Sequence, residues 1–375
     1  MATALRGSLV LWASRMSRRP PPPTSIADYV RRRQLLSVTD VVAPSWCEYE
    51  FQYGVLSQSH LPLAQRPSQI VTPEGNTIIP SYVALQNREE RLKAGTGVHD
   101  AIERLVHPDQ VQIRTATMED RWALRFIECA AGVAAARHGR AREIPIFGFL
   151  HGYPVNGIID ELRREGDVLM LSETKTRATD TLPTTADQRQ ARIQCMLYRR
   201  LYDDLHSAIP LSLAEFARAI GLKSERTLSD KFIADIIEHP EALPWAETPA
   251  QPSLADIAAL AQESLRQHAL PLSPVMELVY VQRRRRGEDE PGEVGRVHFE
   301  ANESLDAHLD HVFTLLDGSR MPRGVPEALS SRCNRCAWRD GCEWREKQAQ
   351  IIADDAVLWK EYSSISDEAL AKISW

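Results

Sequence analysis

The chain of 375 residues contains no apolar run near the roughly 20 residues that a membrane-spanning helix needs, which predicts a protein without a membrane span. Its 45 basic residues do not outnumber its 51 acidic ones, and the formal net charge is -6. This balance excludes a protein that coats polyanions through overall positive charge, so any nucleic-acid contact must come from a local basic patch. The G-x4-G-K-[ST] phosphate loop is also absent, so nothing in the sequence indicates a built-in ATPase or helicase.

Lysine is scarce, with seven in the chain, and Lys175 alone has an acid two positions before it. Residues 155–162 and 168–171 are mostly apolar and are separated by a polar, glycine-containing segment, which predicts a β-hairpin. With the turn centred near Glu165, Asp160 falls opposite Leu171 and shares one face of the hairpin with Glu173 and Lys175. Two carboxylates and an amine so placed can hold a metal ion and steer a water molecule; surface salt bridging is the alternative interpretation.

Length and composition allow a full enzyme core. With 43% hydrophobic and 26% charged residues, the chain is expected to form one large domain or two modest ones, without a need for disulfide bonds. Residues 1–27 differ from the rest, because they contain four arginines, several serines and no acid. This pattern is typical of a mitochondrial presequence and predicts a location in the matrix; a disordered basic tail ending in prolines is the alternative.

Four cysteines form a second signal. Cys333, Cys336 and Cys342 follow the spacing C-x2-C-x5-C near the C-terminus, and Cys47 is a candidate fourth ligand almost three hundred residues upstream. A site with four thiolates can hold zinc or an iron-sulfur cluster, and the spacing does not choose between them. A disulfide framework would require an oxidising compartment. Either metal site would tie the two ends of the fold together, so we expect it to be structural.

Further candidates surround the hairpin in the sequence. His99 follows Thr96, which can cap a helix. We interpret His99 either as a metal ligand or as a locally packed histidine. Glu143 precedes the hairpin and is either a site acid or an edge-strand charge. Within residues 188–205, apolar residues at fourfold spacing predict an amphipathic helix, and Gln194 and Tyr198 lie on an adjacent stripe of it.

Arginines on or beside this helix are the first candidates for binding the phosphates of a single strand. They are Arg177, Arg189, Arg192, Arg199 and Arg200. The arginine run at residues 283–286 continues into an acidic segment and is interpreted mainly as a solvated hairpin loop. Residues 206–275 contain short helical patterns between prolines, which we interpret as a helical insertion.

In chain order, several of these segments resemble exonuclease V, a family in the RecB-like branch of the PD-(D/E)xK nucleases that carries a four-cysteine iron-sulfur cluster. The resemblance extends from about Ser37 to Trp344 and is greatest to the fungal mitochondrial form. It rests on Ser37-Val38-Thr39-Asp40, Pro44-Ser45-Trp46-Cys47-Glu48, Gly157-Ile158-Ile159-Asp160-Glu161-Leu162, Glu173-Thr174-Lys175-Thr176-Arg177 and the C-terminal cysteines.

The resemblance implies an α/β fold with a PD-(D/E)xK core. This core has a central mixed β-sheet flanked by helices, and the cluster joins the N- and C-terminal regions of one nuclease domain spanning residues 28–375. It also implies a role for each site residue. Asp160 and Glu173 would bind the metal with His99 and the carbonyl of Thr174, and Lys175 would orient or activate the attacking water. Glu143 would be a further site acid. Gln194 and Tyr198 would match the Gln-x-x-x-Tyr motif beside the active site.

The expected activity is therefore Mg²⁺-dependent hydrolysis of single-stranded DNA from a 5′ end, with short oligonucleotide products. A histidine ligand predicts that Mn²⁺ is accepted as well. The resemblance also implies a [4Fe-4S] cluster, a role in mitochondrial DNA maintenance or repair, a monomer, and a single-strand-binding protein as a partner. Two alternatives are a Cas4-like iron-sulfur nuclease and a non-catalytic DNA-binding scaffold that keeps the metal site.

Overall fold

The computed structural model describes residues 4–7, 21–106, 110–207, 211–238, 249–282, 292–302 and 304–363. The strands are β1 (Ala4–Gly7), β2 (Leu36–Ser37), β3 (Ile70–Val71), β4 (Thr77–Ile78), β5 (Gln110–Ile113), β6 (Arg140–Leu150), β7 (Tyr153–Glu165), β8 (Val168–Arg177), β9 (Val275–Gln282) and β10 (Glu293–Glu300). The α-helices are α1 (Ile26–Arg32), α2 (Val38–Val42), α3 (Glu48–Leu56), α4 (Tyr82–Val106), α5 (Met118–Arg137), α6 (Thr185–Leu205), α7 (Leu213–Ala219), α8 (Asp230–Glu238), α9 (Leu254–His268), α10 (Ser304–Leu316) and α11 (Glu343–Ser363). Short 3-10 helices span Ala43–Ser45, Leu63–Gln65 and Glu327–Arg335.

A mixed sheet centred on β7 organises the fold. The strands β10, β9, β8, β7 and β6 lie side by side, and β2 pairs with the start of β7. The pairs β8–β9 and β2–β7 are parallel, whereas β6–β7, β7–β8 and β9–β10 are antiparallel. Helices α5 and α6 pack on this sheet. The predicted α/β class, with a central mixed sheet flanked by helices, is confirmed.

The predicted hairpin forms from β7 and β8, but its register differs from the prediction. Glu165 pairs with Val168, so that the connection is the two-residue turn Gly166-Asp167 and not a longer turn centred on Glu165. Gly166 has φ +65°, which suits a glycine at the first central position of a type II′ turn. The shift amounts to two residues and therefore preserves the faces of the strands. Continued along the hairpin, this register places Asp160 opposite Glu173 and not opposite Leu171.

The main core lies between the sheet and its helices and draws buried residues from all strands of the sheet and from α1, α2 and α5–α10. Close packing of α6 on the sheet depends on glycine at Gly157, where an added Cβ would lie 2.6 Å from Cε1 of Tyr198. Helix α5 begins with a capping box between Thr117 and Asp120, and Asp120 also accepts hydrogen bonds from Ser229 before α8. The helices α7, α8 and α9 occupy the segment interpreted as an insertion, and α9 packs along α5.

A smaller apolar cluster lies apart from the main core. It contains the buried cysteines Cys47, Cys333 and Cys342, and the partly buried Cys336 packs against it. We call this cluster, with its aromatic neighbours Tyr53 and Trp338, the cysteine lobe.

In the N-terminal segment interpreted as a presequence, Ala4–Gly7 pairs in parallel with β5. The remaining residues of that segment up to position 20 lie outside the described part of the chain. Among the helices described, none is long and apolar enough to cross a membrane.

Candidate active site

The site lies at a gap along one edge of β7, between the part of β7 that pairs with β8 and the part that pairs with β2. Pairing of β7 with β8 stops at Glu161 and Ser172, and the same edge of β7 pairs with β2 farther back, at Val155 and Asn156. Asp160 lies in the gap, and its Oδ2 accepts a hydrogen bond of 2.7 Å from the backbone N–H of Thr174. A side-chain carboxylate thus replaces a strand partner at this point, which fixes the direction of the Asp160 side chain.

Three candidate ligands converge at the gap. Nδ1 of His99 lies 3.5 Å from Oε1 of Glu143 and 3.8 Å from Oδ1 of Asp160. Within the described residues, these three are the group of metal-ligating side chains whose ligand atoms all lie within 4.8 Å of one another. Because α4 supplies the histidine, β6 the glutamate and β7 the aspartate, the site exists only in the assembled fold.

Glu143 has a strained backbone. Its φ of +51° lies in the left-handed region although it is not glycine, and it lies inside β6. The flanking pairs Arg142 with Glu161 and Ile144 with Ile159 place it opposite Asp160. A non-glycine residue in this conformation costs on the order of 1–3 kcal/mol, and such residues occur often at functional sites. The interpretation of Glu143 as an ordinary edge-strand charge does not account for this conformation.

Lys175 is held from two sides. Its Nζ donates hydrogen bonds to Oε1 of Glu173 at 2.7 Å and to Oε1 of Gln194 at 2.8 Å. The Nε2 of Gln194 donates in turn to the hydroxyl of Tyr198 at 2.8 Å. The structure therefore brings Gln194 and Tyr198 next to Lys175. Gly157 lets Tyr198 approach the sheet, a role that sequence reasoning missed.

The electrostatics of the site are those of acids crowded in a buried space. Burial raises the pKa of Asp160, and burial together with the Asp160 charge raises the pKa of Glu173 to about 7. For His99, the hydrogen bond with Glu143 raises the pKa and outweighs the effect of burial. Burial alone would lower the pKa of Lys175, but the Glu173 and Asp160 carboxylates raise it. The site without a bound cation therefore retains protons near neutral pH.

The candidate DNA-binding arginines lie in different surroundings. Arg177 ends β8, and one of its Nη atoms donates to Thr179. Arg189 and Arg192 line a cavity between α6 and α10. The other two are engaged locally, since Arg199 contacts Asp203 and Arg200 contacts Asp306. The run at residues 283–286 lies outside the described residues.

The four candidate cluster ligands meet in the cysteine lobe as free thiols. Burial raises the pKa of Cys47 and of Cys336 to about 12, and the charges of neighbouring cysteines add to this effect. The hydroxyl of Tyr53 lies 3.9 Å from Sγ of Cys342. A bound metal centre would take the place of protons on these thiols.

One anchor of the cysteine lobe was not expected from the sequence. Glu48, directly after Cys47, is 4% exposed and accepts hydrogen bonds from Arg320 at 2.6 and 2.7 Å. It also accepts one from the backbone of Arg323 at 2.6 Å and lies 2.9 Å from Nε2 of His311 on α10. A second link joins Arg332 to Asp187 at the start of α6. These acids are ordinary in sequence, and only their distant partners show their role.

Comparisons with known proteins agree with this geometry. Residues 81–168 and 164–345 match the family model described as exonuclease V, a 5′ deoxyribonuclease, and together they span more than half of the chain. Exonuclease V of Danio rerio is 24% identical over 332 residues, which are 87% of this chain and 74% of that protein. The matched segments include His99, Asp160, Lys175 and the three C-terminal cysteines.

Proposed function

The chain belongs to the exonuclease V family and is therefore a DNA exonuclease, and from this premise we propose that it degrades single-stranded DNA from a 5′ end with Mg²⁺ as the catalytic ion. The observation that carries the proposal is the convergence of His99, Glu143 and Asp160 beside the hydrogen-bonded amine of Lys175. The description of the matched family as a 5′ deoxyribonuclease supports the polarity. The hairpin that carries Asp160 and the Glu173-Thr174-Lys175 triplet fits a PD-(D/E)xK core.

The residues of the site fit a divalent cation. In the described part of the chain, Oε2 of Glu173 is buried without a hydrogen-bond partner, and Oε1 of Glu143 faces the imidazole of His99 at 3.5 Å. Buried carboxylate oxygens of this kind are stabilised by a cation. Asp160 and Glu173 would hold Mg²⁺ with the Thr174 carbonyl and retained waters, and His99 would complete the set. Because imidazole suits Mn²⁺ better than Mg²⁺, we expect Mn²⁺ to support activity too.

A bound cation would neutralise the negative charge that builds on the phosphate and on the leaving oxygen during hydrolysis. Lys175 acts beside it. Because the pKa of Lys175 is raised, its amine is protonated at neutral pH and donates hydrogen bonds. It therefore orients a water molecule or a phosphate oxygen, and Glu173 and Gln194 fix the direction in which it does so.

The preference for a single strand rests on what the chain offers a substrate. A phosphate loop for a motor is absent from the sequence, so a duplex would have to be opened by another protein. Arg177 extends the site strand beyond Lys175, and Arg189 and Arg192 lie on α6, which also carries Gln194. Guanidinium groups in such positions bind phosphates without reading sequence. We propose that the strand is threaded from its end and released as short oligonucleotides.

The test is degradation of end-labelled single-stranded DNA in Mg²⁺ by the wild type and by Asp160→Ala and Lys175→Ala. Glu165→Gln, at the exposed tip of the same hairpin, is the matched control. We expect the two site variants to lose at least 100-fold in rate and the control to retain wild-type activity. Comparing 5′-blocked with 3′-blocked strands tests the polarity. Equal rates in the wild type and in both site variants would exclude the assignment.

For the cysteine lobe, we propose a structural [4Fe-4S] cluster held by Cys47, Cys333, Cys336 and Cys342. The support is that Cys47, Cys333 and Cys342 are buried in one apolar cluster and that Cys336 packs against it. Four thiolates so placed can hold either zinc or an iron-sulfur cluster, and the test below separates the two. The site would join residues near positions 47 and 340, and thus both ends of the domain.

The cluster has a direct test. We expect the purified protein to be brown, with absorption near about 400 nm, and to contain about four iron atoms per chain. Cys342→Ser should lose both iron and thermal stability, whereas Cys195→Ser, at a buried cysteine outside the lobe, should keep its iron. A colourless protein with one bound zinc would reject the cluster.

We also propose a location in the mitochondrial matrix, where the enzyme would serve DNA maintenance or repair as a monomer beside a single-strand-binding protein. The support is the acid-free, arginine-bearing composition of residues 1–27. N-terminal sequencing of the protein from its native source tests it, because an intact Met1 or Ala2 would contradict import with cleavage. Light scattering in solution tests the monomer.

A further inference from the structure

A cavity of about 690 Å³ lies between α6 and α10. Arg189, Arg192 and Met196 recur along α6 at spacings of three and four residues and thus share the face that borders the cavity. At 100° per residue, this face is roughly opposite to the one that carries Gln194 and Tyr198. The cavity, which we call the α6–α10 pocket, is therefore separate from the ligand cluster around Asp160.

The lining of the pocket combines positive charge with an apolar floor. Arg189 and Arg192 supply the charge, and the buried side chains of Ile193 and Met196 supply apolar surface. Its described lining contains no acidic side chain, although the whole chain has a formal net charge of -6. A volume of this size lies within the range of small-molecule sites, roughly 300–1,000 Å³.

Two contacts hold the pocket in shape before any ligand binds. The guanidinium of Arg192 donates to Oε1 of Gln188 at 3.1 and 2.8 Å and lies 4.9 Å from the ring centroid of Phe299. On the opposite wall, His311 is fixed by Glu48. Arg192 lies two positions before Gln194, whose side chain accepts a hydrogen bond from Lys175 on the other face of α6. The pocket and the catalytic amine are therefore separated by the width of one helix.

We propose that the α6–α10 pocket binds one nucleotide of the strand being degraded, with its phosphate at Arg189 and Arg192 and its base against Ile193 and Met196. This inference rests on the proposed function, since only a nuclease substrate would bring such a nucleotide here. A phosphate group alone would not use the apolar floor, and a nucleoside alone would not use the arginines. A nucleotide uses both.

The test is binding of thymidine 5′-monophosphate to the full-length protein without added divalent metal, measured by calorimetry and saturation-transfer NMR. Divalent metal is left out because a cation at the Asp160 site would attract the phosphate there. We expect thymidine and inorganic phosphate each to bind at least tenfold more weakly than the nucleotide. Arg189→Ala/Arg192→Ala should weaken nucleotide binding at least tenfold, because charge-assisted contacts to the phosphate are lost.

Ala307→Trp fills the pocket from an exposed position on α10 and should weaken binding to the same degree without changing the melting temperature. Arg218→Ala, at an exposed arginine on α7, is the control and should bind as the wild type does. Absence of nucleotide binding, or equal binding by wild type and Ala307→Trp, overturns the inference. Strand degradation in Mg²⁺ is measured on the same proteins. If the wild type degrades DNA but the pocket variants bind the nucleotide normally, the pocket inference is rejected and the proposed function stands. If the wild type degrades no DNA, the proposed function itself is rejected.

Discussion

The amide of Gln194 fixes the amine of Lys175 at 2.8 Å and is itself fixed by Tyr198 at 2.8 Å. A lysine ammonium has three donor positions, and the Glu173 carboxylate takes a second one at 2.7 Å. One donor is left for a water molecule or a phosphate oxygen. Its direction is set by groups on β8 and α6 together, so that Gln194 and Tyr198 are positioning residues for Lys175.

Gln194→Leu should therefore lower kcat by roughly 10- to 100-fold while KM changes little, because the amine is misdirected but the metal site and the strand contacts remain. Steady-state rates on end-labelled single strands measure both constants. Gln190→Leu is the matched control, since Gln190 lies one turn earlier on α6 and its amide donates to the Ala43 carbonyl at 3.4 Å, away from Lys175. Equal kcat values for the two variants would contradict the positioning role.

Gly157→Ala should act on the same residues from the sheet side. The added Cβ would lie 2.6 Å from Cε1 of Tyr198 and 3.0 Å from Cγ2 of Val38, so Tyr198 must move. We expect a loss of about 1–3 kcal/mol in the free energy of unfolding. A fall in kcat like that of Gln194→Leu should accompany it.

Urea unfolding and strand degradation measure these two effects. Gly139→Ala, where an added Cβ meets nothing within 4 Å, should change neither. A fully active Gly157→Ala would show that the position of Tyr198 does not control Lys175.

The sequence predicted those parts of the site that depend on local pattern. Period-two alternation placed Asp160, Glu173 and Lys175 on one face, and that face survived the error in register because the shift was even. The turn itself was misjudged because the polar residues from Arg163 to Glu165 continue β7 and do not begin a loop. Polarity alone cannot distinguish an exposed strand end from a turn.

What depends on distant partners was not predictable. The role of Gly157 is set by Tyr198, forty-one positions later, and the role of Glu48 is set by Arg320, 272 positions later. The backbone of Glu143 gives a third case, since nothing in Arg142-Glu143-Ile144 indicates a left-handed residue inside a strand. These features arise from packing, which a single sequence does not encode locally.

Replacement of Glu143 should separate strain from function. At φ +51° glycine is unstrained and alanine is not, so Glu143→Gly should be more stable than Glu143→Ala by about 1 kcal/mol. Both variants lose a carboxylate that faces His99, and both should lose activity to the same degree. Chemical denaturation with activity assays checks this. Equal stability of the two variants would show that the strand does not hold the strain at this position.

The metal-free protein should lose stability as the pH rises through neutrality. The pKa of Glu173 is about 7 in the folded chain against an ordinary 4.5, so between these values the folded state binds more protons than the unfolded state. The stabilising contribution is thus complete below the ordinary pKa and is lost as the pH rises through 7. His99, whose pKa is also raised, acts with the same sign.

Added Mn²⁺ must displace these protons, so the increase that it causes in melting temperature should grow from pH 6 to pH 8. Thermal unfolding with and without Mn²⁺ measures this. Asp160→Asn should weaken the pH dependence, because burial still raises the pKa of Glu173 but the further effect of the Asp160 charge is gone. An increase in melting temperature that is the same at pH 6 and pH 8 in the wild type would contradict proton displacement at this site.

Glu48→Gln tests how the cysteine lobe is attached to the nuclease core. The glutamine keeps the shape of Glu48 but not its charge, and it leaves the guanidinium of Arg320, which is 17% exposed, without its anion. Breaking a buried pair in this way costs about 3–5 kcal/mol, and unfolding in urea measures the loss. Asp187→Asn is the matched control, because its pair with Arg332 joins the same lobe to α6 but its side chain is 50% exposed and should contribute at most about 1 kcal/mol.

Since Glu48 directly follows Cys47, a loose anchor should also lower the iron content and the absorption near about 400 nm. Equal stability losses in the two variants would show that burial of Glu48 does not decide the attachment.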